Sequence, residues 1–469
     1  MLFNTLNFLL FFIIVTSLYF IFPHKYRWFL LLSASCYFYM SFIPIYVLIL
    51  AFTITIDFYA GIFIEKYHDK KRLWFLFASL CANIGILSFF KYYNFLNNNL
   101  TSIFGHLGHT NPIPHLNIIL PIGLSFHTFQ AMSYTIEVYR GNHKAERHFG
   151  IFALYVMFYP QLVAGPIERP QNLLHQFKEK HRFEYLNLVA GLRLILYGLF
   201  LKMVIADNLS DYVNTVYASP EKFNSLSIII ALSFYSFQIY CDFCGYSLIA
   251  IGSAKVMGFK LMNNFKTPYF SRSISEFWQR WHISLSTWFK DYLYIPLGGN
   301  RVKISRWMFN IFIVFAISGL WHGANWTFVI WGVLWGFLNI LEYLFRKFIP
   351  IASHDEPFKL HHLINIFSMF IIATGLWVFF RSESIGKAKL IFESLLTNIH
   401  ISDSFHVKTF MWVFIVFFLG FEILFNKHRI DKWFEPRSIY IRWAFYFFFI
   451  FVIIAFAGVE NIPFIYFQF

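Results

Sequence analysis

The nonapeptide SGLWHGANW, Ser318–Trp326, sets one histidine, His322, in an apolar run beside Trp321 and among Gly319, Gly323 and Ala324. Ionisable groups are costly in hydrocarbon, so one that persists there is a functional candidate by default. Imidazole has an unperturbed pKa of about 6.5 and can accept a proton at neutral pH, which is the work of a general base. The small neighbours leave room for a ligand or another helix backbone to approach. A histidine bonded to a neighbouring helix carbonyl fits the same pattern.

A second candidate lies in SISEFWQRWHISLSTWFKDYLYIPLGGNR, 273–301, which opens on a capping-box pattern from Ser273 to Glu276 and ends at Gly298 and Gly299. Phe277, Trp281, Leu285, Trp288 and Tyr292 recur at helical spacing, with Arg280, Lys290 and Asp291 off that stripe. The pattern predicts one amphipathic or re-entrant helix, on which His282 falls about 100° round from Trp281 as a polar-edge residue.

Three more stretches put polar groups in apolar surroundings. Residues 121–141 offer His127, Gln130 and Glu137, and FYPQLVAGPIERP (158–170) interrupts any helix with Gly165 and its prolines. FQIYCDFCGYSLIAIG (237–252) places Gln238, Asp242 and Tyr246 at i, i+4 and i+8, on one helix face. Together these predict a polar interior path in which Asp242 pairs with a donor on another helix, since an unpaired carboxylate there is costly. Interhelical hydrogen-bond networks account for each stretch taken alone. Cys241 and Cys244 place two small apolar side chains on a helix face, and no metal site is expected. The chain finishes PFIYFQF, 463–469, an aromatic tail where termini usually carry small or polar residues.

The elements that must position these residues are membrane helices. Hydrophobic residues make up 58% of the chain and charged residues 13%, about half the charge of a soluble surface. The run from Leu2 to Phe22 lacks a basic leader and a small-residue cleavage site and reads as an uncleaved span. Further runs near 28–43, 44–64, 73–90, 117–139, 186–206, 225–251, 307–323, 326–346, 362–380, 408–426 and 440–458 bring the expectation to about 11–12 transmembrane helices plus re-entrant or amphipathic ones. Basic loops at 23–27, 65–72, 140–148, 252–306, 346–347 and 426–433 belong on the cytoplasmic side, which puts both termini outside. The net charge of +14 follows largely from these loops and from attraction to anionic membrane lipid, and would also draw a polyanionic coenzyme A thioester. Nothing points to nucleic acid. No linker divides the chain, so a single domain, 1–469, is expected.

The stretches SFHTFQAMSYTIEVYRG, QLVAGPIERP, FQIYCDFCGYS, FWQRWHISLSTWFKDYLYIPLGGNR and SGLWHGANWTFVIWG occur here in the order seen in bacterial membrane-bound O-acyltransferases. The chain resembles the branch that holds the alginate O-acetylation membrane protein and the peptidoglycan O-acetyltransferase A proteins. The resemblance implies an all-α integral membrane protein with peripheral helices at about 1–115, a catalytic core at about 117–346, C-terminal helices at about 362–458 and funnels from both faces. It puts the catalytic role on His322 and a supporting role on His282. Arg280 and Asp291 would then organise the cytoplasmic mouth, with Gln130, Gln238, Asp242, Tyr246, Trp321 and Asn325 lining the substrate path.

It further implies an inner-membrane enzyme that takes acetyl from acetyl-CoA, without a tightly bound cofactor. The acetyl would pass to an extracytoplasmic polysaccharide O-acetyltransferase partner. Composition hints at an AT-rich genome and favours peptidoglycan slightly over alginate. Direct acylation of a lipid or protein, D-alanyl export and a non-catalytic export role are the alternatives. The tail, Phe464-x-Tyr466-x-x-Phe469, resembles the C-terminal motif of the small partner in teichoic acid D-alanylation, which implies Tyr466 as an acyl carrier; an interfacial aromatic belt is the alternative.

Overall fold

The computed structural model describes residues 1–345, 359–400, 405–426, 429–458 and 462–468. Among them eight helices are long and apolar enough to cross a membrane: Pro44–Lys66, Lys71–His106, Tyr185–Ala218, Ser225–Val256, Ile304–His322, Trp326–Phe345, His362–Arg381 and Ile439–Phe456. Leu6–Ile21 and Thr409–Phe425 are shorter apolar helices, and His24–Met40 and Leu124–Tyr139 fill two more of the expected runs. The chain is an all-α integral membrane protein, and large apolar side chains such as Leu186 and Phe451 stay exposed on its helices, as a lipid-facing surface requires.

Several boundaries differ from the sequence pattern, among them the end of the run at 186–206, which stays helical to Ala218. The run beginning at 117 becomes helical only at Leu124, because Pro121 lacks an N–H and Gly123 turns the chain in at φ 74. The helix expected to end near 90 instead runs on to His106, continuing through a π-helical turn at Ser88–Tyr92. There Asn97 and Asn94 cross-brace the following segment through the carbonyls of Pro114 and Leu116.

The chain forms two compact units, Met1–Leu192 with Ala250–Met262, and Arg193–Ile249 with Asn263–Phe469. The first is rich in buried polar ties. Asp57 accepts from Ser79 and Asn83, and the broken stretch after Phe158 is satisfied by side chains: Glu168 takes the Met262 N–H at 2.6 Å and the Asn172 amide. In the second unit, Ile304–His322 and Trp326–Phe345 form a hairpin whose backbones nearly touch. A methyl group on Gly319 would lie 2.3 Å from the Phe328 carbonyl oxygen, and one on Gly332 2.2 Å from that of Phe315. The room that the small residues before His322 provide is therefore taken by the neighbouring helix.

Candidate active site

The segment 273–301 is not one helix. It is two short helices, Ile274–Arg280 and Ile283–Phe289, separated by His282 in the left-handed region at φ 43, followed by a π-helical turn at Lys290–Tyr294. Tertiary bonds impose the break. Lys266 N–H donates to the Arg280 carbonyl at 3.0 Å and Ile283 N–H to the Asn264 carbonyl at 2.8 Å, so residues 264–266 lie against 280–283 as a strand-like strap. Arg280 is buried, paired with Glu276 at 2.6 Å and donating to the carbonyl of Thr267, itself at φ 42. Two non-glycine residues at positive φ mark a strained loop pair, of the kind that gathers at functional sites.

His282 therefore leaves the polar edge predicted for it and becomes a fully buried hinge. Asn264 Oδ1 accepts from Ser284 Oγ at 2.9 Å and lies 3.0 Å from His282 Nδ1, while its amide donates to Ser247 Oγ at 3.0 Å. With the Asn264 oxygen on that side, Nδ1 carries the hydrogen and Nε2 keeps the lone pair. Burial pushes the His282 pKa down to about 3, so the ring is neutral at physiological pH.

His322 closes the Ile304–His322 helix and is buried among rings: Trp321 and Trp331 at 5.0 Å between centroids, Phe380 at 5.2 Å and Tyr466 at 5.8 Å. Trp321 also faces His282 at 6.3 Å. The two histidines thus flank one tryptophan. Asn325 sits just past them, where its oxygen caps the next helix at Thr327 N–H and its amide donates to the Glu383 carbonyl at 2.7 Å. Beside that carbonyl opens a pocket of about 250 Å³ lined by Asn214, Tyr217, Arg381, Ser382 and Lys387.

The aromatic tail packs into the same unit. Phe464 and Ile465 are buried, Phe464 stacks on Tyr246 at 4.7 Å, and the Tyr466 ring lies 4.6 Å from Phe243. The Tyr466 hydroxyl is out of solvent, and burial, with Tyr235 and Asp242 nearby, holds its pKa well above 10. Asp242 accepts the Ile465 N–H at 2.7 Å and pairs with Lys202 at 2.7 Å; Lys202 also pairs with Asp207 at 2.7 Å. Lys202 is the donor that the Asp242 carboxylate required. It reaches Asp242 because Gly198 and Gly245 let two helices meet backbone to backbone, a methyl on either falling within 2.7 Å of the other's carbonyl oxygen.

The structure thus gathers His322, His282, Trp321, Asp242, Tyr246 and Tyr466 in one unit. Gln238 is half-buried on the same helix as Asp242, with Oε1 enclosed, and Asp291 is half-buried on the π-helical turn. Gln130 belongs to the first unit, where its amide donates to the Tyr155 carbonyl at 2.5 Å. Sequence reasoning missed Lys202 and Asn264. Lys202 carried a signal, a lone lysine inside the apolar run 186–206; Asn264, in a short loop, carried none.

A buried histidine at a helix end, a phenol against it and a charge cluster bonded to the phenol's segment now stand in a chain of apolar helices. Residues 116–381 match the sequence profile of MBOAT, the membrane-bound O-acyltransferase family. The chain belongs to the membrane-bound O-acyltransferase family. It is similar to the probable alginate O-acetylase AlgI of Azotobacter vinelandii, 37% identical over 386 residues that cover 81% of this chain and 75% of the relative. It is also similar to the peptidoglycan O-acetyltransferase of Helicobacter pylori, 36% identical over 398 residues, 78% of this chain and 73% of the relative. The teichoic acid D-alanyltransferase of Bacillus subtilis is 29% identical over 261 residues, 53% of this chain and 65% of the relative. The acyltransferase profile spans Asp242, His282 and His322 and stops at Arg381, so the tail that meets His322 lies outside it.

Proposed function

We propose that this acyltransferase moves acetyl from cytoplasmic acetyl-CoA to Tyr466 and on to an extracytoplasmic partner that O-acetylates a cell-envelope polysaccharide. The observation that carries this reading is the Tyr466 ring packed 5.8 Å from His322. A phenol whose pKa is held above 10 is almost wholly protonated at neutral pH and needs a base to attack a carbonyl. In the first step the Tyr466 oxygen bonds to the thioester carbonyl carbon while its proton passes to His322. The C–S bond then breaks and His322 returns the proton to the departing sulfur, giving free coenzyme A and acetyl-tyrosine. In the second step a hydroxyl on the partner takes the acetyl group and the tyrosine is regenerated. His282 supports the site's shape, Arg280 stiffens the strap, and the pocket beside Glu383 gives the acceptor its approach.

The inner membrane is the proposed location, with the tail on the outer side. Names borne by the relatives support a glycan acceptor, with peptidoglycan placed slightly ahead of alginate on composition. The test incubates purified protein in vesicles with acetyl-labelled coenzyme A and no partner. Mass spectrometry of the C-terminal peptide should find one acetyl ester on Tyr466, absent in His322→Ala. Normal glycan acetylation by Tyr466→Phe would refute the relay and favour direct transfer.

A further inference from the structure

The relay described above explains why Tyr466 faces His322 but not how a short segment holds its place among membrane helices. Its aromatic contacts are broad and could be met in several registers. Its backbone is held more narrowly. The Ile465 N–H donates to Asp242 Oδ2 at 2.7 Å, and the Pro463 carbonyl oxygen lies 3.5 Å from Lys202 Nζ. The same lysine bridges Asp242 and Asp207, and both Lys202 and Asp242 are almost completely buried.

We propose that Lys202, Asp207 and Asp242 form a charged seat that grips residues 463–465 by the backbone and so fixes the register of Tyr466 against His322. Lys202 and Asp242 are then positioning residues, and Asp242 serves the tail, not the substrate path predicted for it. The chemistry fits. A carboxylate accepting a backbone N–H makes a charge-assisted bond about twice as strong as a neutral one, and it depends on geometry where ring packing does not. A one-residue slip of the tail would offer the carboxylate a different N–H and carry the phenol away from the imidazole. The seat is a helix-borne cation flanked by two carboxylates, one of which turns its second oxygen to the tail. It recognises a peptide by a backbone N–H two residues after a proline, whatever side chain stands there.

The relay role rests on the function proposed above, so the test separates the two. A benzophenone-bearing residue replaces Tyr466 and the protein is irradiated in vesicles without donor. Cross-links to peptides holding Phe243 or His322 report the seated tail. Ile465→Pro removes the N–H that Asp242 accepts and lies outside the spanning helices, while Ile465→Ala keeps it. The cross-link should fall roughly ten-fold in Ile465→Pro and in Asp242→Ala, and persist in Ile465→Ala. A control, Glu65→Gln, removes a surface ion pair of the first unit and should leave the cross-link unchanged.

The positioning role is read in the full chain from acetyl-ester formation on Tyr466 with labelled donor. Asp242→Asn should lower kcat per folded molecule roughly ten-fold with the donor KM nearly unchanged. Equal cross-linking in Ile465→Pro and Ile465→Ala, or a rise in donor KM with kcat unchanged, would overturn the seat. A seat-dependent cross-link in a protein that never acetylates Tyr466 would leave the seat standing and remove the relay.

Discussion

Asp57 and Asp242 are both carboxylates buried in spanning helices, one in each unit, and they are satisfied by different kinds of group. Asp57 accepts from Ser79 Oγ at 2.6 Å and Asn83 Nδ2 at 2.9 Å, neutral donors on the next helix, and Ser79 extends the chain to Thr135 at 3.0 Å. Asp242 takes a lysine and the N–H of Ile465, which no spanning helix supplies. The first arrangement is completed by packing the helices together. The second is completed by a segment that comes from outside them. A buried polar cluster whose partners all come from packed helices is a structural tie; one that accepts a donor from a separate peptide is a binding site in waiting.

If that contrast is right, the largest effect belongs to the group at the meeting point. His322→Ala should cut acetyl release from labelled acetyl-CoA by about 10²–10⁴-fold without changing the amount of protein in the membrane. Turnover within a few-fold of the unaltered protein would break the assignment.

Asp242→Leu comes next. It leaves Lys202 with Asp207 alone, and losing one carboxylate of this buried cluster costs up to about 3–5 kcal/mol, the figure for removing one partner of a buried pair. Detergent-solubilised protein should melt at a markedly lower temperature and lose transfer as well. Asp57→Leu sharpens the comparison from the other side. It removes the acceptor that Ser79 and Asn83 share, although they keep their bonds to Thr135 and to the Ser79 carbonyl; at about 1–3 kcal/mol in all it should lower the melting temperature while turnover per folded molecule holds. A large fall in turnover at full stability would give Asp57 a share in the chemistry.

The smallest effect is expected at the hinge. Asparagine accepts left-handed backbone, so His282→Asn should fold and keep activity within a few-fold, whereas the β-branched His282→Val should not tolerate φ 43. The pKa of His282 is about 3 in the fold against about 6.5 in an unfolded chain. The unfolded state therefore binds the extra proton between these values. The ring's contribution to stability is intact above pH about 6.5 and drains away as pH falls towards about 3. A melting series should show that slope and His282→Asn should lack it.

Hydropathy alone made the helices legible, because a spanning segment has to be apolar over its whole length and the runs at 304–322 and 362–381 contain little else. The charged and aromatic candidates were legible for the same reason: what is rare in lipid stands out. The break at His282 was not. Its stripe of Phe277, Trp281, Leu285 and Trp288 keeps helical spacing, and all four are buried, yet bonds from Asn264 and Lys266 override the local pattern. Such strap contacts join residues 14 and 19 positions apart and have no signature in either partner. The seat was half legible: Asp242 demanded a cation, and the sequence contained one, but nothing in the spacing said that a distant peptide N–H would complete it.

Lys202 lies in a π-helical stretch, Phe200–Ala206, and that geometry has a consequence for how the site could be lost. In an α-helix, partners stand three or four positions apart; Lys202 and Asp207 stand five apart and still meet at 2.7 Å, because a π-helix brings i and i+5 together. The cluster therefore counts residues as well as choosing them. Deleting one apolar residue between Gly198 and Lys202 would restore ordinary helix, change hydropathy hardly at all, and leave the two charges five positions apart, about 140° round from one another. Descendants of this chain can exchange apolar side chains in that stretch and keep the pair, but a shortening just before Lys202 would part it.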